Sequence, residues 1–286
     1  MVHVSVKAFA KINLGLLITG RRPDGYHTLE TVFAPIEWHD TLDFTLDDGI
    51  TMTCSNLDLP SDDSNLCVRA ARALQEHAGV KQGVRIGLVK RVPFGAGLGG
   101  GSSDAAATLR VLNRLWAVDA SSADLHRMAV KLGADVPYFL EMQGLAYAAG
   151  IGEELEELPL SLPYHVVTVF PEVQVPTVWA YKNFRPRFDR PVPDLKGLLA
   201  RLCSDRDAGV LEVFENDFSP VVFEHYPVVR EVRDGLAASG AAFVSLSGSG
   251  SAVYALYAEA ATAQAAAGRM QAFGRVNVTP AGFRMA

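Results

Sequence analysis

The chain has 286 residues, 49% of them apolar and 20% charged, with a formal net charge of -6. That is the composition of a soluble globular protein with one large or two medium domains. The acidic balance, with no Lys/Arg-rich run, argues against a nucleic-acid partner. Cys54, Cys67 and Cys203 stand apart with no C-x-x-C pair, which argues against a disulfide-stapled secreted fold and fits a reducing cytosol. The opening Met-Val-His-Val-Ser-Val-Lys lacks the basic-then-apolar order of a signal peptide, so a cytoplasmic location is expected.

Along the chain, Val2, Val4, Val6, Ala8, Ala10, Ile12, Leu14 and Leu16 alternate with more polar residues, the period of a half-buried strand pair. Lys11 and Asn13 share the opposite face of that strand. Arg22-Pro23-Asp24-Gly25 is a turn, and Tyr26-His27 follow it on the returning strand. A helix is predicted after Asn65, a second from about Ser103 to Trp116, and a third capped by Ser121 with Asp124 and ending at Gly133. After the acidic run to Glu157 come a strand (Tyr164 to Phe170), helices near 194–203 and 219–238, strands Ala241 to Leu246 and Ala252 to Tyr257, an Ala-rich helix and a last strand. Residues 235–258 carry no charge, but nine of those 24 are Gly or Ser. They read as two buried strands joined by a glycine turn, not as a membrane helix. The mixture implies an α+β sandwich, with a composition shift near residue 155 separating 1–155 from 156–286.

The strongest chemical signal is Pro93-Phe94-Gly95-Ala96-Gly97-Leu98-Gly99-Gly100-Gly101-Ser102-Ser103. Five glycines in seven residues let the backbone approach an anion and turn N–H groups toward it. The helix that follows adds its positive end, so a phosphate loop is expected rather than a flexible linker. Residues 95–100 satisfy G-x-G-x-x-G, but no room remains after Trp116 for the second strand of a dinucleotide fold. There is no Gly-Lys dipeptide for a P-loop, and the His-Arg-Asp and Asp-Phe-Gly triplets of protein kinases are absent. In Gly133-Ala134-Asp135-Val136-Pro137 the proline should hold Val136 extended, so that Asp135 projects from a stiff, apolar-flanked corner or serves as a turn aspartate. Tyr26 and His27 can hold a base ring or pack in the core. Ser247-Gly248-Ser249-Gly250-Ser251 is a tight turn or a second backbone cradle.

Together these segments resemble the GHMP kinases, the superfamily of galactokinase, homoserine kinase and mevalonate kinase. The loop at 93–103 carries that superfamily's most specific motif, and 247–251 looks like its C-terminal one. Ala10-Lys11-Ile12-Asn13-Leu14, Asp24-Gly25-Tyr26-His27-Thr28-Leu29 and Glu215-Asn216-Asp217-Phe218 are similar to the branch that phosphorylates a cytidylyl sugar alcohol in the non-mevalonate isoprenoid route. The resemblance implies a ribosomal-S5-like N-terminal ATP-binding domain and a ferredoxin-like C-terminal domain. It implies Lys11 and Asp135 as the catalytic pair, 93–103 as the ATP loop, and Asn13, Tyr26, His27 and Tyr181 as acceptor contacts, with Trp179 the alternative to Tyr181. ATP with Mg2+ is implied as co-substrate, with Ser102 or Ser103 as the candidate protein ligand of the metal. A kinase for homoserine or mevalonate, and a non-catalytic nucleotide-binding regulator, are the competing readings.

Overall fold

The apolar alternation at the start of the chain forms one long strand, β1 (His3–Arg21), in a computed structural model that describes residues 3–285; Val2 lies outside the described residues. The strand is buried on both faces from residue 8 to residue 18 instead of half-buried, so its polar odd-numbered face is turned inward too. The 22–25 turn closes with the Arg22 amide donating to the Tyr26 carbonyl at 2.7 Å. The chain returns as β2 (His27–Asp47), which pairs with β1.

After β3 (Ile50–Cys54), the Asn65 side chain caps α1 (Leu66–Ala78) by accepting from the Cys67 amide. Strand β4 (Gly83–Val89) leads into the glycine loop, and α2 (Gly100–Leu115) begins three residues before the sequence-based expectation. Helix α3 (Ser122–Leu132) has the expected Ser121–Asp124 cap, and α4 (Val136–Glu141) follows at once. The hairpin β5 (Ala146–Ala149) and β6 (Glu154–Glu157) precedes β7 (His165–Phe170), α5 (Thr177–Asn183) and α6 (Leu195–Ala200). The helix expected over 219–238 is two helices, α7 (Ser219–His225) and α8 (Pro227–Ala237). Pro227 keeps Tyr226 out of helical geometry, at φ -119° and ψ 84°. Strands β8 (Phe243–Leu246) and β9 (Val253–Tyr257), helix α9 (Ala260–Met270) and β10 (Arg275–Thr279) complete the α+β chain.

Two compact units result, each assembled from separated stretches. The first gathers the chain up to Ala10, His39–Val92 and Gly99–Met142. In it β4 lies between the second half of β2, antiparallel, and β3, parallel, and α2 packs against α1 and α4. The second gathers Lys11–Trp38, Pro93–Leu98 and the chain from Gln143 onward. Its antiparallel sheet has the order β10-β7-β9-β8, covered by α8 and α9 over a core that includes Val167, Val169, Val232, Val253 and Ala266. The composition shift near residue 155 falls inside this second unit, in β6. Among the described residues no helix is long and apolar enough to cross a membrane.

Candidate active site

In the second unit the first half of the glycine loop is gripped by its carbonyls. The Ala252 amide donates to the Ala96 carbonyl at 3.0 Å, the Ser247 hydroxyl to the Gly97 carbonyl at 2.8 Å, and the Lys11 amide to the Leu98 carbonyl at 3.0 Å. The side chains of Pro93, Ala96 and Leu98 are buried, while Phe94 and Gly95 face outward. In a trans peptide the N–H points opposite to the C=O, so the amides of Gly97 and Leu98 face away from the groups that hold their preceding carbonyls. Successive outward amides are what an anion cradle needs. Gly97 sits at φ +77°, and a Cβ there would run into the carbonyl oxygen of Ser247. The Ser247–Ser251 turn is therefore the bed on which the loop lies.

The same unit holds Lys11 and Asn13, both buried. The Lys11 ammonium donates to Asn13 Oδ1 at 2.7 Å and stands 4.8 Å from the centre of the Phe33 ring. Asn13 Nδ2 donates to Thr31 Oγ1 at 3.0 Å, and the Tyr254 hydroxyl donates to the Asn13 carbonyl at 2.9 Å. An amide with this many fixed partners presents the ammonium in one orientation.

In the first unit Gly99 caps α2 with φ +69°, and Gly100, Gly101 and Ser102 form the first helical turn, where backbone N–H groups lack helical partners. Beneath them a charged triad is buried: Lys90 Nζ donates to Asp40 Oδ2 at 2.5 Å and to Asp104 Oδ2 at 2.7 Å. A Cβ on Gly100 would lie 2.9 Å from Val92 Cγ1 and 3.1 Å from Lys90 Nζ, so the helix start rests directly on this pair of residues. Burial holds the Asp104 carboxyl well above the usual carboxylate range, with Lys90 pulling it back. Burial opposes the charge on Lys90, yet the field of Asp104 and Asp40 raises its pKa. Asp135 also belongs to this unit, half-buried just before α4, at φ -83° and ψ -13°. The expectation that Pro137 holds Val136 extended is overturned. Val136 opens α4, and Pro137 sits in the first turn, where its missing N–H costs nothing. The Ser102 hydroxyl lies 3.8 Å from where a Cβ on Gly133 would stand, so Ser102 faces the corner that carries Asp135, whereas Ser103 is buried.

The aromatic residues meet in the second unit. His27 stacks on Tyr181 with ring centres 5.0 Å apart and planes 17° apart. Phe184 stands edge-on to His27 at 5.3 Å, and Phe218 edge-on to Tyr181 at 4.9 Å. Burial, helped by Arg21, lowers the His27 pKa, which favours the neutral ring. Trp179, one of the two sequence candidates, packs instead against His225 and Tyr226. Tyr26 is 62% exposed, with its amide donating to Asp24 Oδ1 at 3.1 Å.

Comparison with known proteins bears on what this arrangement serves. The family models "GHMP kinases N terminal domain" and "GHMP kinases C terminal" match residues 65–142 and 193–276. A 4-diphosphocytidyl-2-C-methyl-D-erythritol kinase of Chlorobaculum tepidum is 75% identical over 285 residues, covering all of both chains. One from Prosthecochloris aestuarii is 65% identical over 286 residues, again across both chains. The chain belongs to the GHMP kinases. It is thus an ATP-dependent kinase, with ATP as co-substrate. A crystal structure of a 4-(cytidine 5'-diphospho)-2C-methyl-D-erythritol kinase superposes with TM-score 0.82 at 37% identity, covering 98% of this chain and 99% of that one. A homoserine kinase from Cytophaga hutchinsonii superposes at 0.75 with 20% identity, covering 98% of this chain and 95% of that one, a likeness of fold alone.

Two groups that brace this site in the GHMP kinase come from distant parts of the chain. The Asp40–Lys90–Asp104 triad joins residues 50 and 14 positions apart, and no local pattern announces it. Glu215-Asn216-Asp217-Phe218 was singled out by resemblance only. In the structure Asn216 Nδ2 donates to the carbonyls of Leu246 and Gly248 at 2.8 and 2.9 Å, fixing the entry to the turn under Gly97.

Proposed function

We propose that this GHMP kinase transfers the γ-phosphoryl group of ATP to the 2-hydroxyl of 4-diphosphocytidyl-2-C-methyl-D-erythritol, giving the 2-phosphate and ADP in non-mevalonate isoprenoid precursor synthesis. The full-length likeness to kinases of that name carries this reading, since it leaves no segment of the site outside the match. Residues 93–103 hold the triphosphate through backbone amides and the start of α2. The Lys11 ammonium, oriented by Asn13, steadies charge on the transferring group. Asp135 takes the acceptor's hydroxyl proton, and Asn13, Tyr26, His27 and Tyr181 bind the acceptor, the aromatic rings offering faces to its base. In sequence terms residues 1–155 are the ATP-binding domain with the nucleotide loop, the catalytic pair and the acceptor contacts Asn13, Tyr26 and His27, and 156–286 are the C-terminal substrate-side domain that adds Tyr181.

Mg2+ accompanies the nucleotide in this reading. It takes oxygen ligands and needs few from the protein, and the Ser102 hydroxyl, turned toward the Asp135 corner, is the group that would hold it. When bound, the ion neutralises triphosphate charge. The three thiols are free, in keeping with a cytoplasmic enzyme.

ADP release measured with ATP and a panel of alcohols, namely the cytidylyl substrate, free methylerythritol phosphate, homoserine and mevalonate, tests the proposal. Turnover should be confined to the cytidylyl compound; turnover of homoserine or mevalonate in its place would transfer the chain to another branch. Asp135→Asn should lower kcat by roughly 10²-fold or more, the scale of a lost general base, with ATP affinity little changed.

A further inference from the structure

Asp217 is a buried carboxylate, its side chain 3% exposed, at the centre of an arrangement that no catalytic role accounts for. Its Oδ2 accepts from the Ile18 amide at 2.7 Å and from Arg190 Nη2 at 2.5 Å, and its Oδ1 accepts from Arg187 Nη2 at 2.8 Å. Glu215 Oε2 accepts from the same two arginines at 2.6 and 3.2 Å. Backbone bonds lock Asp217 in place, its amide donating to the Leu16 carbonyl at 2.9 Å while the Leu16 amide donates to the Glu215 carbonyl at 2.8 Å. The carboxylate is thereby fixed to β1, and the arginines are brought to it.

The arginines come from the stretch between α5 and α6, residues 184–194, which contains no helix or strand. Such a stretch must be placed by its side chains. Partly exposed ion pairs contribute little to stability, and buried ones can cost as much in desolvation as they return. Planar guanidinium groups that bridge two carboxylates, Arg190 through both Nη atoms and Arg187 through Nη2, do, however, define direction and distance. What they define here is the surroundings of Tyr181. Phe218, adjacent to Asp217, stands edge-on to Tyr181 at 4.9 Å. Phe184, three residues before Arg187, stands 5.3 Å from His27 and 6.3 Å from Tyr181, both edge-on, and 6.0 Å from Phe218.

We infer that Arg187 and Arg190, clamped on Asp217 and Glu215, are positioning residues for acceptor recognition: they join the two segments whose phenylalanines set the angle of the His27–Tyr181 pair. The inference rests on the acceptor role proposed above for those two rings. The arginines act on binding of the base-bearing acceptor, while the brace under the glycine loop is the Asn216 amide between the two clamped carboxylates.

The test is the Arg187→Gln/Arg190→Gln double variant in the full chain. The KM for the cytidylyl acceptor should rise about tenfold, the scale of one misplaced aromatic contact. The KM for ATP should stay within about twofold and kcat within about threefold on the same scale. Arg187→Lys/Arg190→Lys, which keeps charge but loses the planar guanidinium bridge, should recover only part of the acceptor affinity. An unchanged acceptor KM, or equal rises for both substrates, would overturn the inference. The ring resonances of Tyr181, assigned with Tyr181→Phe, give a readout that needs no substrate. They should shift in the Gln variant, and an unshifted spectrum in a folded protein refutes the clamp even if wild-type enzyme proves to act on another alcohol.

Discussion

The first half of the proposed phosphate cradle, Pro93–Leu98, and the proposed acceptor surface belong to the second unit and are built from opposite materials. The cradle is backbone: carbonyls of Ala96, Gly97 and Leu98 held from behind, with Gly97 pressed on the Ser247 carbonyl. The acceptor surface is side chain: His27, Tyr181, Phe184 and Phe218 meeting edge to face. A backbone site has no side chain to lose, but it fails when one is added. A side-chain site tolerates trimming at a cost that scales with what was trimmed, and it can distinguish one acceptor from another because its identity is written in rings.

The sharpest way to break that contrast is to add atoms to the cradle. Gly97→Val must find room where the Ser247 carbonyl already sits and must adopt positive φ. Binding of a non-hydrolysable ATP analogue should fall by roughly 100-fold or more, combining overpacking with backbone strain. Calorimetric titration of a protein shown to be folded decides it, and wild-type affinity would remove the 95–99 loop from nucleotide binding. Trimming the other side should do less. Tyr181→Ala should raise the acceptor KM by roughly 10- to 50-fold, the worth of a partly buried ring and its contacts, and leave the ATP analogue's affinity alone. Equal losses for both ligands would mean that the two regions are not separable. A milder probe of the cradle is Ser247→Ala, which deletes the hydroxyl donor to the Gly97 carbonyl. One net hydrogen bond corresponds to about fivefold in affinity, and steady-state KM for ATP reads it.

The smallest effect concerns pH. Burial and Arg21 lower the His27 pKa, so protonation occurs more readily in the unfolded chain, and this residue's contribution is lost as pH falls below the ordinary histidine value. Acceptor KM should be flat from pH 8 down to about 6.5, the unperturbed histidine pKa, and rise only below that. An acceptor KM that rises instead as pH increases through the histidine range would show that the ring works in its charged form.

The loop's shape and the helix starts around it are legible in the sequence because their signals are local. Five glycines between a strand and an amphipathic helix announce an anion loop, and Asn65 and Ser121 announce helix starts that the structure bears out. The strand carrying Lys11 was legible as a strand but not as a buried one, since alternation says which residues share a face and not whether a second layer covers the polar one. Val136 departs from its expected extended geometry because the rule for residues before proline is a bias that a helix's first turn overrides. The partners of Asp217 escaped because Arg187, Arg190 and Ile18 lie 30, 27 and 199 positions away, beyond any local pattern.

The contact between Gly97 and Ser247 has a consequence for synthesis of the protein. Its two residues are 150 positions apart, and the turn supplying the bed lies in the last fifth of the chain. A growing polypeptide displays its glycine loop long before the support exists, and contacts of such separation close late in folding. On the role proposed for residues 93–103, nucleotide is a ligand of the finished molecule rather than a template for the emerging one. A chain that stops short of residue 247 should be inert toward ATP however well its earlier helices form, which spares the cell a half-made phosphotransferase.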